Sequence, residues 1–192
     1  MKINKKRGSI QLLPLFFILL MLVGVVSLLL YETVIANDKY ARFKNQLDST
    51  NLAIVRNVNQ ETLSRENKLI FDEYNIPPVF ETYKEYLIEN FNLDSNLKSL
   101  PENKSIIGEV IIKDLRIYSV KDGVLDEWDY TGGTFNHISN PTGMTPNGVK
   151  VEQTSVYSKI NLSTYTVFRL KSTGKNIKNL DIESYTDFIK SK

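Results

Sequence analysis

Hydrophobic positions along this chain fall into three regimes, each with its own spacing. The first is unbroken: residues 8–31, GSIQLLPLFFILLMLVGVVSLLLY, carry no charge at all. At 1.5 Å per residue a helix of that length reaches about 36 Å, enough to cross a hydrocarbon core of about 30 Å. Phe16, Phe17, Ile18, Leu19, Leu20, Met21 and Leu22 form a continuous apolar block with no polar stripe, so the pattern predicts a membrane-spanning helix over 9–31 rather than a soluble core helix. Pro14 lies near its start, where a missing amide donor matters least. Tyr31 closes it, where aromatic rings favour the interface.

The second regime has helical spacing. Ala36, Tyr40, Phe43, Leu47, Ile54 and Val58 recur at steps of three, four or seven, with Asp38, Lys39, Lys44, Asn45, Asp48 and Asn59 between them. Neither Gly nor Pro occurs from Val25 to Ile76. The favoured expectation is therefore one long helix, its inner half in lipid and its outer half an amphipathic helix over 32–76. A short loop followed by a separate amphipathic helix is the alternative. Pro77-Pro78 ends this section, and a further helix is predicted over 79–91, with Val79, Tyr83, Leu87 and Phe91 on one face.

The third regime is of β type. Segments 106–112 and 115–120 are rich in β-branched residues, Lys121-Asp122-Gly123 reads as a turn, and 124–130 as a returning strand. Gly132-Gly133 and the stretch 139–148, with Pro141, Gly143, Pro146 and Gly148, read as loops. Further strands are expected over 149–157, 164–170 and 180–186, with a turn at Ser172-Thr173-Gly174. The fold class is thus α+β: an N-terminal transmembrane helix extended into an amphipathic helix, then a head over 77–192 with a mainly antiparallel sheet of four or five strands.

Charge adds an orientation. Lys2, Lys5, Lys6 and Arg7 place four of the 24 basic residues ahead of the span, leaving 20 basic against 22 acidic side chains in the rest. Basic flanks stay on the cytoplasmic side, so residues 1–8 are expected inside and the head outside. The near-neutral body offers no field for nucleic acid. No cysteine is present, which excludes disulfides, thiolate catalysis and Cys-ligated metals. Two fates of the N-terminus compete with a retained anchor. Val34-Ile35-Ala36 resembles the small-residue pattern before a signal-peptide cleavage site, although the apolar stretch is longer than usual for such signals. The Lys6-Arg7-Gly8-Ser9 start also invites clipping after Gly8, which would keep the helix on a mature chain beginning at Ser9.

The basic-Gly-Ser start, the apolar span and the segment Leu47-Asp48-Ser49-Thr50-Asn51-Leu52-Ala53 together resemble the N-terminal region of TadE/TadG-like proteins, minor pilin-like components of Tad-type pilus systems. The resemblance covers about the first 60 residues. It implies a non-enzymatic, single-pass component of a surface pilus or secretion apparatus, with membrane lipid and other pilin-like subunits as partners. Leu13 stands where processing sites of that kind usually carry Glu, five residues beyond the Gly, and so departs from the pattern for both processing and subunit docking. Tyr40, Phe43, Leu47 and Ile54 are the expected packing face, toward the chain's own head or toward a neighbour.

Candidate chemistry is sparse. His137, the single histidine, lies between turn-rich segments and reads as a loop residue. Asp122, Asp126, Glu127 and Asp129 form the densest acidic cluster, but their spacing does not match a calcium loop. No nucleophile–base pair is identifiable, so no enzyme activity, cofactor or metal is expected. The other reading carried forward is a membrane-tethered ligand-binding or sensory module, which a ligand-sized cavity in the sheet half would favour.

Overall fold

In the computed structural model, which describes residues 8–165 and 177–188, the first element is a helix, α1, of 46 residues from Gly8 to Ala53. Its apolar section is bare: Leu15 to Tyr31 expose their side chains throughout. Among the described residues it is the one helix long and apolar enough to cross a membrane. No break separates this candidate span from the amphipathic part, so the uninterrupted helix expected from the absence of Gly and Pro is present.

It does not run to residue 76, however. A 3₁₀ turn, Ile54–Asn57, follows, and Val58 is extended (ψ 156°). Asn59 then caps a short helix, α2 (Gln60–Glu66), its side chain accepting a hydrogen bond from the Thr62 amide at 2.9 Å. The stop needs neither Gly nor Pro. The side chain of Asn59 competes for helical amides, and burial of Ile54 and Val58 in the core turns the chain. Asn67, with φ 60°, terminates α2 in the left-handed region. Residues 68–76 run extended or in turns, and Phe71 is clamped at both its amide and carbonyl by the Ser119 hydroxyl (3.0 and 2.9 Å). Pro77-Pro78 therefore leads into α3 (Val79–Phe91), whose bounds are those expected from its i+4 face.

Five strands follow: β1 (Ile107–Lys121), β2 (Val124–Thr131), β3 (Thr134–Ile138), β4 (Ser155–Tyr165) and β5 (Ile177–Asp187). They form one antiparallel sheet in the order β3-β2-β1-β4-β5. The two β-rich segments at 106–120 are a single strand, bent by register shifts between Ile107 and Ile111 and between Ile112 and Asp114. Asp122 and Gly123 (φ 51° and 83°) make the expected two-residue turn.

Gly132-Gly133 is a second such turn, with φ 67° and 90°, and not a loop. It returns the chain as β3, a strand that the polar sequence Thr134-Phe135-Asn136-His137 conceals. The strand expected over 149–157 begins only at Ser155, because residues 143–151 fold back on themselves. The Thr145 hydroxyl receives the Val149 amide at 2.9 Å, and the Val151 amide reaches the Gly143 carbonyl at 2.9 Å. Of the segment 164–170, Thr164 and Tyr165 end β4; the remainder and the Ser172–Gly174 turn lie outside the described residues.

One face of the sheet carries the helices, with α1 over β4 and β5 and α3 beside it. The core between them contains Phe43, Leu47, Ile54, Val79, Tyr83, Leu87, Phe91, Ile117, Trp128, Val156, Ile160 and Ile182. On the opposite face Tyr118, Tyr157 and Val151 form a smaller cluster beneath the folded-back loop. The result is the α+β architecture expected from the sequence, a long apolar helix leading into a head with a five-stranded antiparallel sheet.

Candidate functional site: the junction of helix and head

Where α1 enters the head, one stripe of its surface disappears from solvent. Phe43, Leu47 and Ile54 are 2 %, 0 % and 0 % exposed, and each such burial contributes about 1.5–3 kcal/mol. Phe43 stacks on Phe91 of α3, ring centres 6.2 Å apart and planes 18° from parallel. Tyr40, one turn lower, remains 41 % exposed. Three of the four residues expected on the packing face thus bind the chain's own head, and Tyr40 marks where that contact ends. The expected processing pair, Gly8 and Ser9, lies in the first turn of α1.

Between these apolar anchors sits a polar lock that apolar periodicity does not reveal. Asn51 is fully buried; its Nδ2 donates to Ser184 Oγ of β5 at 2.8 Å, and its Oδ1 accepts from Ser158 Oγ of β4 at 2.8 Å. Ser184 also donates to Asp48 Oδ1 at 2.5 Å. On the α3 side, Gln46 Nε2 donates to the Asn90 carbonyl at 2.6 Å, and Asn90 Nδ2 to Thr50 Oγ1 at 2.9 Å. At the lower edge, Lys39 Nζ reaches the Tyr165 carbonyl at 2.9 Å. α1 therefore runs antiparallel to β4, Lys39 level with Tyr165 and Asn51 with Ser158. Buried amides and hydroxyls of this kind fix one register, because any slip strands their hydrogen bonds in a low dielectric. A signal was present: Thr50 and Asn51 fall on the helical face that Leu47 and Ile54 define, where a polar residue needs a partner.

The other candidates resolve into structural contacts. His137 lies in β3 rather than a loop, its ring 5.4 Å from that of Trp128 and its Nε2 3.2 Å from Asp126 Oδ1. The acidic cluster is dispersed. Asp122 pairs with Lys68 at 2.7 Å, Asp129 accepts from Thr131 at 2.8 Å, and the buried Glu127 pairs with Arg116 at 3.0 Å. The Lys68 ammonium, by hydrogen bond and then charge, holds Asp122 below the usual carboxylate range. Partial burial raises Asp114, and Arg116 beside it offsets part of that rise. Among the described residues no group of three or more acidic or histidine side chains could hold a metal.

The head carries two grooves. One, of about 360 Å³, lies between α3 and the β2–β3 hairpin. Phe80 stacks on Tyr130 there at 3.9 Å, with Phe135, Trp128, Glu73 and Glu81 around them. The second, of about 460 Å³, lies below the head between α1 (Leu29, Glu32, Ala36, Tyr40) and the strand ends at Tyr165 and Lys178. No family model, no curated protein and no solved structure matches this chain. Its fold defines its class: an α+β head carried on one continuous helix whose first half is a candidate membrane span.

Proposed function

We propose that this protein is a non-enzymatic, single-pass membrane component of pilin-like or pseudopilin-like character that positions its head rigidly within a surface or secretion assembly. The supporting observation is the unbroken helix from Gly8 to Ala53, locked into the sheet by Asn51 and by the burial of Phe43, Leu47 and Ile54. A tether needs only a flexible linker; a helix that continues from span to head fixes the head's direction and height. That is the requirement of a subunit whose span packs against partner helices while its head meets other heads. In lipid such packing proceeds without a hydrophobic driving force, by close van der Waals contact. The basic N-terminus supports an orientation with residues 1–8 cytoplasmic and the head outside.

The test is crosslinking in native membranes. Photoreactive residues placed at Leu20, Val34 and Tyr40, all exposed along α1, are expected to give discrete products with a second copy or with other single-span subunits. Monomer alone at every position, at natural expression, would overturn the assembly role. Sequencing the mature N-terminus decides among starts at Met1, Ser9 and Asn37.

A second reading, a tethered ligand-binding or sensory module, is favoured by the aromatic groove lined by Phe80, Trp128, Tyr130 and Phe135. A Phe80→Ala variant that loses a ligand-induced change in Trp128 fluorescence would support it.

A further inference from the structure

We propose that the head sits directly on the membrane surface, and that the groove beneath it holds the headgroup of an anionic phospholipid. The inference rests on the reading of the apolar half of α1 as a membrane span. Strand register places the sheet's lower end: Tyr165 pairs with Ile177, and Lys39 is bonded to the Tyr165 carbonyl. Lys39 is eight residues beyond Tyr31, about 12 Å along the helix axis. Within that rise the helix still exposes Val34 to solvent, 65 %. The groove reaches along α1 from Leu29, inside the uncharged stretch, to Tyr40, about 16 Å higher. A headgroup layer is about 5–8 Å thick on each side of the hydrocarbon, so the groove brackets it.

Its chemistry fits that position. The base is apolar at Leu29 and suits the start of an acyl chain. The ionisable groups lining it are Glu32 low down and Lys39 and Lys178 higher up. Among the described residues no carboxylate pairs with either lysine. Tyr40 and Tyr165 form a half-exposed rim of the amphipathic kind that settles at a lipid–water boundary, with Ile177 beside Tyr165 at the strand end. Lys39 and Lys178, on long side chains just outside the headgroup layer, outweigh Glu32 below them and favour a phosphate. A neighbouring protein would have to displace lipid to reach the same place.

The absence of native cysteine makes the test direct. Nitroxide labels at Ile177→Cys, Val23→Cys and Val124→Cys are compared in the full-length chain, in vesicles of phosphatidylglycerol and phosphatidylcholine. The readout is accessibility to oxygen relative to a water-soluble nickel chelate. Val124 lies at the opposite end of the sheet, paired with Lys121. The expected ratio at Ile177 falls between the lipid-like value at Val23 and the water-like value at Val124. If Ile177 matches Val124 while Val23 is lipid-like, the head stands clear of the bilayer and the proposal fails with the span intact. If Val23 is itself water-like, the span reading fails and takes the proposal with it. Spin–spin broadening at Ile177 would place a second copy in the groove and exclude the lipid. Lys178→Glu is expected to weaken retention of phosphatidylglycerol by detergent-solubilised protein about fivefold or more, the scale of one cation at an anionic surface. Undiminished retention would remove the headgroup assignment.

Discussion

Replacing Asn51 by Ala should release the head from its helix more than any surface change of similar size. The side chain is fully buried near the C-terminal end of α1 and makes two hydrogen bonds at 2.8 Å, one to each of two strands. Each net hydrogen bond contributes about 0.5–1.5 kcal/mol, and each hydroxyl left without its partner in the core costs about 1–3 kcal/mol. Ser184 keeps its bond to Asp48, so the penalty falls mainly on Ser158. A loss of about 2–4 kcal/mol follows. Trp128 is the only tryptophan, lies in the head core and is 5 % exposed, so its fluorescence reports head unfolding alone. Denaturant titration of the full chain in detergent, wild type against Asn51→Ala, measures the difference. Asn45→Ala, on the exposed side of the same helix, should stay within about 0.5 kcal/mol of wild type. An Asn51→Ala effect equally small would refute the claim that this polar lock holds helix and sheet in register.

Three further expectations can be checked on the same material. Phe80 and Tyr130, stacked at 3.9 Å, should show a coupling of about 0.5–1.5 kcal/mol in a double-mutant cycle by the same titration. Burial, with Glu183 adding to it, pushes the Tyr157 phenol up to about 12, and burial with Asp187 does the same for Tyr185. Since an unfolded tyrosine titrates near 10, their contribution is complete below about pH 10 and is lost as pH rises toward 12. Tyrosinate absorbance should therefore lag that of the unfolded chain, and Tyr157→Phe should reduce the alkaline loss of stability. Gly123→Ala forces a side chain into φ +83° and should cost about 1–2 kcal/mol, measured as a shift in denaturation midpoint.

The parts of this fold legible in the sequence are those where one spacing persists over many residues. The uncharged 24-residue stretch and the i+4 face of α3 gave their elements with little error, because a long period leaves few alternatives. The end of α1 at Ala53 was hidden, since it depends on an Asn cap and on tertiary burial of Val58 rather than on a breaker residue. β3 was hidden because an edge strand needs apolar residues on one face only, and Phe135 and Ile138, three residues apart, fall on opposite faces and show no period of two. At the junction the apolar anchors were legible and the lock only in half. Thr50 and Asn51 show as polar residues on the face of Leu47 and Ile54, but their partners do not, because Ser158 and Ser184 lie more than 100 residues away in sequence.

The account stands on one continuous, rigid helix carrying the head from the bilayer, and a single distance distribution tests it. Spin labels at Ser27→Cys and Asn45→Cys, both on exposed positions of α1, are separated by 18 residues, five full turns on the same side of the helix. Pulsed dipolar spectroscopy on the full chain in lipid vesicles should return one narrow peak corresponding to a backbone separation of about 27 Å. A broad or two-peaked distribution would mean a hinge between candidate span and head, and would contradict the reading of this protein as a rigidly mounted membrane component.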